Sequence, residues 1–284
     1  MVQPMMRPAF SYRNTAAGYS QEKGSKLCIE LGQFHVGLTI SDPLGTETVA
    51  FDLYSSKQKI NSAFLQAVLS SELIAGIDFS DVVMVHNQKE MALVPSVFYA
   101  QHLDKVILET IHGDLVDLIL SSDDVHQWEL HNVYGTADSM FSMIAEIYPQ
   151  VRQVQYMSAC LRSIFRSLRE DINQRLKLYI LPSCINVVVL KEEKLQIAQS
   201  FYYETTEDII YSVLNVADKY RLNVNDVLVE VSGLIETESV TWKELKKYFL
   251  NMALEPCSLT SPEAQTIDLP SHYFTPFFLV PQCV

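Results

Sequence analysis

The sequence predicts a two-domain α/β protein in which one β-β-β-α-β unit occurs twice. Three observations carry that prediction. Two distant segments, KLCIELGQFHVGLTISD from residue 26 and KLYILPSCINVVVLKEEK from residue 177, open alike, and each reads as a strand hairpin. Each is followed by the same order of third strand, amphipathic helix and buried strand. A chain of 284 residues with 48% apolar content is also long enough to bury two ordinary cores.

In the first unit the hairpin leads into ETVAFDLY and then into KINSAFLQAVLSSELIAG, where Ile60, Phe64 and Val68 recur at helical spacing. The Val-rich DVVMVHN closes the unit as a buried strand. The second unit repeats the order with LQIAQSFYYE, with EDIIYSVLNVADKYRL and with DVLVEVSG, and its helix aligns Ile209, Val213, Val216 and Tyr220. Between the units, VPSVFYAQHLDKVILETIHG and QWELHNVYGTADSMFSMIAEIYPQVRQVQYMS supply further helix and strand to the first domain.

The next segment, ACLRSIFRSLREDINQRLK, predicts a helix leading into the second domain. Leu161, Ile164, Phe165, Leu168 and Ile172 share one face, and Arg162, Arg166 and Arg169 share another. TWKELKKYFLNMAL predicts a last helix, turned inward through Trp242, Leu245, Phe249 and Met252. The domains are expected at 24–170 and 171–284, after a loose polar arm at 1–23. The C-terminal LPSHYFTPFFLVPQCV is uncharged but broken by Pro270, Pro276 and Pro281, and is expected to pack as a tail, with a partner-binding tail as the alternative.

Charge and cysteine usage bound the function. With 21 basic and 34 acidic residues the net charge is −13, which repels polyanions, so nucleic-acid binding is not expected. Cys28, Cys160, Cys184, Cys257 and Cys283 show no C-x-x-C spacing for a metal or a redox pair and read as reduced apolar fillers. The N-terminal MVQPMMRPAFSYRNTAAGYSQEKG lacks the apolar core of a signal peptide and no window gives 18 uncharged apolar residues for a membrane span, so a cytoplasmic location is expected.

The repeated unit resembles the fold of actin, sugar kinases and heat-shock chaperones, in which two ribonuclease-H-like domains face each other across a nucleotide cleft. The resemblance covers most of residues 26–255. LGQFHVGL and NVVVLKEEKLQIAQSF also resemble an uncharacterised bacterial family of actin-like proteins, distantly similar to pilus-assembly ATPases. This implies nucleotide chemistry at three places. The first hairpin would carry Asp, Gly and a hydroxyl to cradle phosphate and metal, and here has Glu30, Leu31, Gly32 and Gln33. The second would repeat Asp-x-Gly, and LYILPSCIN has neither; Pro182 also removes a backbone donor. The third is a Gly pair on which adenosine lies, represented by Ser232 and Gly233.

The expectation is therefore a vestigial cleft marked by Glu30, Gly32, Gln33 and Gly233, with no catalytic residue, metal or cofactor, in a protein that acts by binding another protein. The alternatives are a working ATPase using ATP with Mg²⁺, and a structural assembly subunit. Arg162, Arg166 and Arg169, extended by Arg175 and Lys177, form a basic stripe that reads as a solvated helix face or as a docking face for an acidic partner. His126 and His131, around Trp128 and Glu129, share no helix or strand face and are not expected to bind metal. The pairs Asp123-Asp124 and Glu192-Glu193 read as turn acids, and Cys184 as a buried filler.

Overall fold

The computed structural model describes residues 6–14, 24–115, 118–168, 171–257 and 269–281. The described chain forms two compact units, one of residues 6–163 with 277–281 and one of residues 164–257 with 269–276.

In the first unit, β1 (Phe10–Arg13), β2 (Lys26–Gly32), β3 (His35–Ser41), β4 (Thr48–Ser55), β5 (Asp81–Asn87) and β9 (Arg152–Gln155) form a six-stranded sheet in the order β1-β4-β3-β2-β5-β9. The pairs β1–β4, β4–β3 and β3–β2 are antiparallel, whereas β2–β5 and β5–β9 are parallel. Leu27, Ile29 and Leu31 alternate onto one face, where Leu65 and Val68 of α1 (Ser62–Leu69) and Ile144 of α3 (Asp138–Ile147) complete a core. Asn61 starts α1 by accepting the amide of Phe64 at 2.9 Å, which satisfies one of the orphan donors of the first turn. A smaller sheet of β6 (Met91–Pro95), β7 (Leu118–Val125) and β8 (Leu130–Ala137), in the order β6-β8-β7, packs under α2 (Asp104–His112).

In the second unit, β10 (Gln174–Ile180), β11 (Cys184–Lys191), β12 (Lys194–Tyr202), β13 (Leu228–Gly233) and β14 (Met252–Leu254) are ordered β12-β11-β10-β13-β14. That is the order and strand sense of β4-β3-β2-β5-β9 in the first unit. Val187, Val189, Leu176 and Leu178 line one face, against Val213 and Val216 of α5 (Thr206–Lys219) and Leu245 of α6 (Val240–Lys246). Thr205 and Asp208 close a reciprocal capping box on α5. Glu192 and Glu193 form the turn between β11 and β12 with φ of 48° and 61°, so the turn predicted there is present.

Two predicted helices are shorter than expected. The segment from Ala159 ends its helix, α4 (Tyr156–Arg166), well before Lys177, and the chain becomes β10 at Gln174. Leu176, Leu178 and Ile180 alternate onto the core, so the residues follow a period of two there. Arg175 and Lys177 therefore leave the basic stripe and lie buried in a strand. Likewise α6 ends at Lys246, and Met252 belongs to β14, which pairs parallel with β13 at the edge of the sheet.

The described part of the C-terminal tail, residues 269–281, is packed as expected, and residues 282–284 lie outside the described residues. Within the first unit Phe277 and Phe278 lie 4.9 and 5.6 Å from Phe51, and Phe278 lies 5.1 Å from Tyr12. Among the described residues no helix is long and apolar enough to cross a membrane.

Candidate functional site

Ligands of open α/β sheets gather beyond the carboxyl ends of the parallel strands. In the first unit those are the ends of β2 and β5, together with the hairpin that turns β2 into β3. Glu30 lies two residues before the end of β2 and is 3% exposed. Its Oε1 accepts hydrogen bonds from Asn87 Nδ2 at 2.8 Å and His35 Nε2 at 3.0 Å. Asn87, at the end of β5, is the register partner of Gly32. His35 is fully buried, and with Nε2–H donating to Glu30 its other ring nitrogen has no partner among the described residues. Phe277 covers the imidazole edge-on at 6.4 Å.

Gly32 has a specific reason to be glycine. A Cβ there would lie 2.1 Å from His35 Cε1 and 2.4 Å from Nδ1, so the imidazole fills the space that the missing side chain leaves. Gln33 sits in the turn and holds the chain beyond β4 by accepting the amide of Ile60 at 2.9 Å.

A second polar group continues along the same strand ends. Gln155, at the end of β9, donates to the carbonyl of Gln88 at 3.2 Å and accepts from Asn132 at 3.0 Å. Its backbone amide donates to Asp123 at 2.8 Å, and Tyr134 donates to the same carboxylate at 3.2 Å. Asp123 is thus a buried member of β7 and not a turn acid. Burial pushes its carboxyl above the usual range, against the opposing pull of the Gln155 amide and Arg162. Beside it, His86 bonds Gln153 at 3.2 Å, and burial lowers its imidazole to about 4.

In the second unit the hairpin around Pro182 is closed on itself. The Leu181 amide donates to the carbonyl of Cys184 at 2.9 Å, the Tyr203 amide donates to Ser183 O at 3.2 Å, and the Tyr203 hydroxyl donates to Leu181 O. Cys184 is buried, in keeping with the filler reading. Gly233 has φ of 94°, and a Cβ would meet the Ile180 carbonyl oxygen at 2.0 Å. The chain after it is held by the Leu234 amide to Ile180 O at 2.8 Å and by His272 Nε2 to Ile235 O at 2.7 Å. On the sheet face opposite α5 and α6, Lys177 bonds Glu230 at 3.1 Å and Glu255 at 2.6 Å, and Arg175 bonds Glu230 at 2.7 Å. Burial alone would raise the Glu230 carboxyl, but Lys177 and Arg175 hold it below its ordinary value.

Of the sequence-predicted residues, Glu30, Gly32 and Gln33 are brought together at the first hairpin, and Gly233 ends β13 of the other unit. Arg162 donates to the carbonyl of Asp124 at 2.9 Å, and Arg166 is exposed at the end of α4. Arg169 lies outside the described residues. His131 stacks on Tyr99 with centroids 3.8 Å apart, and among the described residues no group of three metal-ligating side chains occurs. No sequence pattern marks His35, Asn87, Gln155 or Asp123 as site residues, because their partners meet them only through strand register and folding.

The order of the sheets and their strand senses define a protein of the actin-like ATPase fold, and structural comparison agrees. A Bacteroides thetaiotaomicron protein with actin-like ATPase fold and unknown function is similar over 84% of this chain and 93% of its own, with TM-score 0.70 and 17% identity. A PilM–PilN type IV pilus biogenesis complex contains a chain similar over 92% of this one and 98% of its own, with TM-score 0.59 and 13% identity. The chain belongs to DUF3822, a family of proteins of unknown function whose profile matches residues 16–252. No curated protein matches the sequence.

Proposed function

We propose that this protein has kept the actin-like fold, arisen by duplication of one unit, without nucleotide hydrolysis, and that it acts by binding another protein. The observation that carries the reading is the imidazole of His35 over Gly32. In a phosphate cradle a glycine is useful because nothing covers it, so that backbone amides can approach phosphate oxygens. Here the covered space is His35's, and Glu30, the acid that the fold resemblance would set near a metal, is buried between His35 and Asn87. The second hairpin offers no replacement, since the Leu181 amide is already bonded to Cys184 O and Pro182 has none. Phosphoryl transfer depends on donors and metal set around the β- and γ-phosphates, and the residues at these two hairpins do not fit that requirement.

The protein-binding half of the reading is supported by the fold-level likeness to a chain of a PilM–PilN complex, in which a protein of this fold is seen with a protein partner. Arg162 and Arg166, on α4, are the residues proposed to meet an acidic partner; Glu30, Gly32 and Gln33 mark the vestigial nucleotide turn of the first unit, and Gly233 that of the second. Calorimetric titration of ATP with Mg²⁺ into the whole chain tests the first half, with no saturable heat expected. A tight one-to-one isotherm that disappears in Glu30→Ala would establish the nucleotide-binding alternative. For the second half, the Arg162→Glu and Arg166→Glu variants should lose captured partners while keeping the wild-type circular dichroism spectrum; recovery of the same partners would reduce the arginines to a solvated face.

A further inference from the structure

The two large sheets match strand for strand except at one edge. In the first unit the outer edge of β4 is covered by β1, which pairs with it antiparallel from Phe10↔Leu53 to Arg13↔Ala50. The corresponding strand of the second unit, β12, has nine residues, and among the described residues no strand pairs with its outer edge. Unpaired N–H and C=O groups on such an edge are a template for another strand, and proteins usually guard them with charge, proline or a bulge. The guard on β12 is confined to one end. Lys194 is its only charged residue, and the register with β11 is broken at Gln196, between the pairs Leu190↔Leu195 and Val189↔Ile197. From Ile197 to Tyr202 the pairing is regular, with no proline and no charge.

We propose that this edge pairs with the same edge of a second copy, antiparallel about a two-fold axis at Gln199. The pleat requires a two-fold perpendicular to the sheet to pass through a residue, so that residues of one face oppose residues of the same face, and the side chains select Gln199 as that residue. Ile197, half-buried against the core of the second unit, then lies opposite Phe201 of the other copy, an aliphatic–aromatic cross-strand pair that extends both cores. Ala198 lies opposite Ser200, both small, and the two exposed Gln199 side chains meet on the axis, where primary amides bond each other. Lys194 falls beyond the regular pairing, so no like charges face one another within it. A contact of one strand pair is small, so a reversible, concentration-dependent dimer is expected.

Gln199 is exposed, and substituting it leaves the folded chain intact. Sedimentation equilibrium of the wild-type chain, raised to hundreds of micromolar, should reveal a monomer–dimer equilibrium. Gln199→Lys, which sets two ammonium groups opposite each other, should shift it at least tenfold toward monomer. Gln199→Cys under mild oxidation should give a disulfide-linked dimer, because directly opposed residues bring their Cα atoms within disulfide range. A chain that stays monomeric throughout, or a dimer indifferent to Gln199→Lys, or a dimer in which Gln199→Cys does not cross-link, would overturn the proposal.

Discussion

Replacing His35 by Ala removes a fully buried ring and one of the two donors to a buried carboxylate. The loss has two parts: the cavity left under Phe277, and the desolvation of Glu30 with only Asn87 remaining as partner. Together they amount to on the order of 3 kcal/mol, which for a chain of this size lowers the midpoint of thermal unfolding by roughly 6–12 °C. The assay follows Trp128 fluorescence in a Trp242→Phe background, so that only the first unit is reported. Glu30→Gln keeps an acceptor for Asn87 and should cost about 1 kcal/mol, since it exchanges a charged for a neutral hydrogen bond. If His35→Ala shifts the transition by less than about 1 kcal/mol, the ring is not held as described and the reasoning about a filled cradle fails.

Two further outcomes are expected. Gly233→Ala combines a left-handed backbone with a Cβ at 2.0 Å from the Ile180 carbonyl, so it should destabilise the second unit by roughly 3–5 kcal/mol in denaturant unfolding; a neutral effect would show that this strand end is not fixed. His86 is held neutral by burial, with its imidazole lowered from 6.5 to about 4, so the unfolded chain binds the proton first as pH falls. Its contribution to stability is complete above pH 6.5 and is lost as pH falls toward 4, by roughly 2 kcal/mol between pH 7 and pH 5. His86→Gln should lose that part of the pH dependence in denaturant titrations at the two pH values, and an unchanged slope would contradict the burial argument.

The repeat made the fold legible, because the continuous apolar run of INVVVL, the alternation in HVGLTI and the helical spacing in the following segments need only local sequence. Where two periods overlapped, the reading failed. Arg175 and Lys177 prolong the basic pattern of Arg162, Arg166 and Arg169 into a stretch, RLKLYI, that already alternates, and that alternation is the signal for β10. The site was half legible for a different reason. Glu30 and Gly32 are neighbours in sequence, but Asn87 is separated from Glu30 by 57 positions and meets it only through the register of two parallel strands. His35 is five positions from Glu30, and its role depends on the ring folding back over Gly32, which no spacing rule encodes.

The most direct measurement on the central claim is phosphate release from ATP with Mg²⁺ by the whole chain, run beside Glu30→Ala. The filled first hairpin and the closed second one predict release indistinguishable from buffer for both proteins. Steady turnover by the wild-type chain that is abolished in Glu30→Ala would contradict the account, because it would require Glu30 to leave His35 and Asn87 and serve a bound nucleotide.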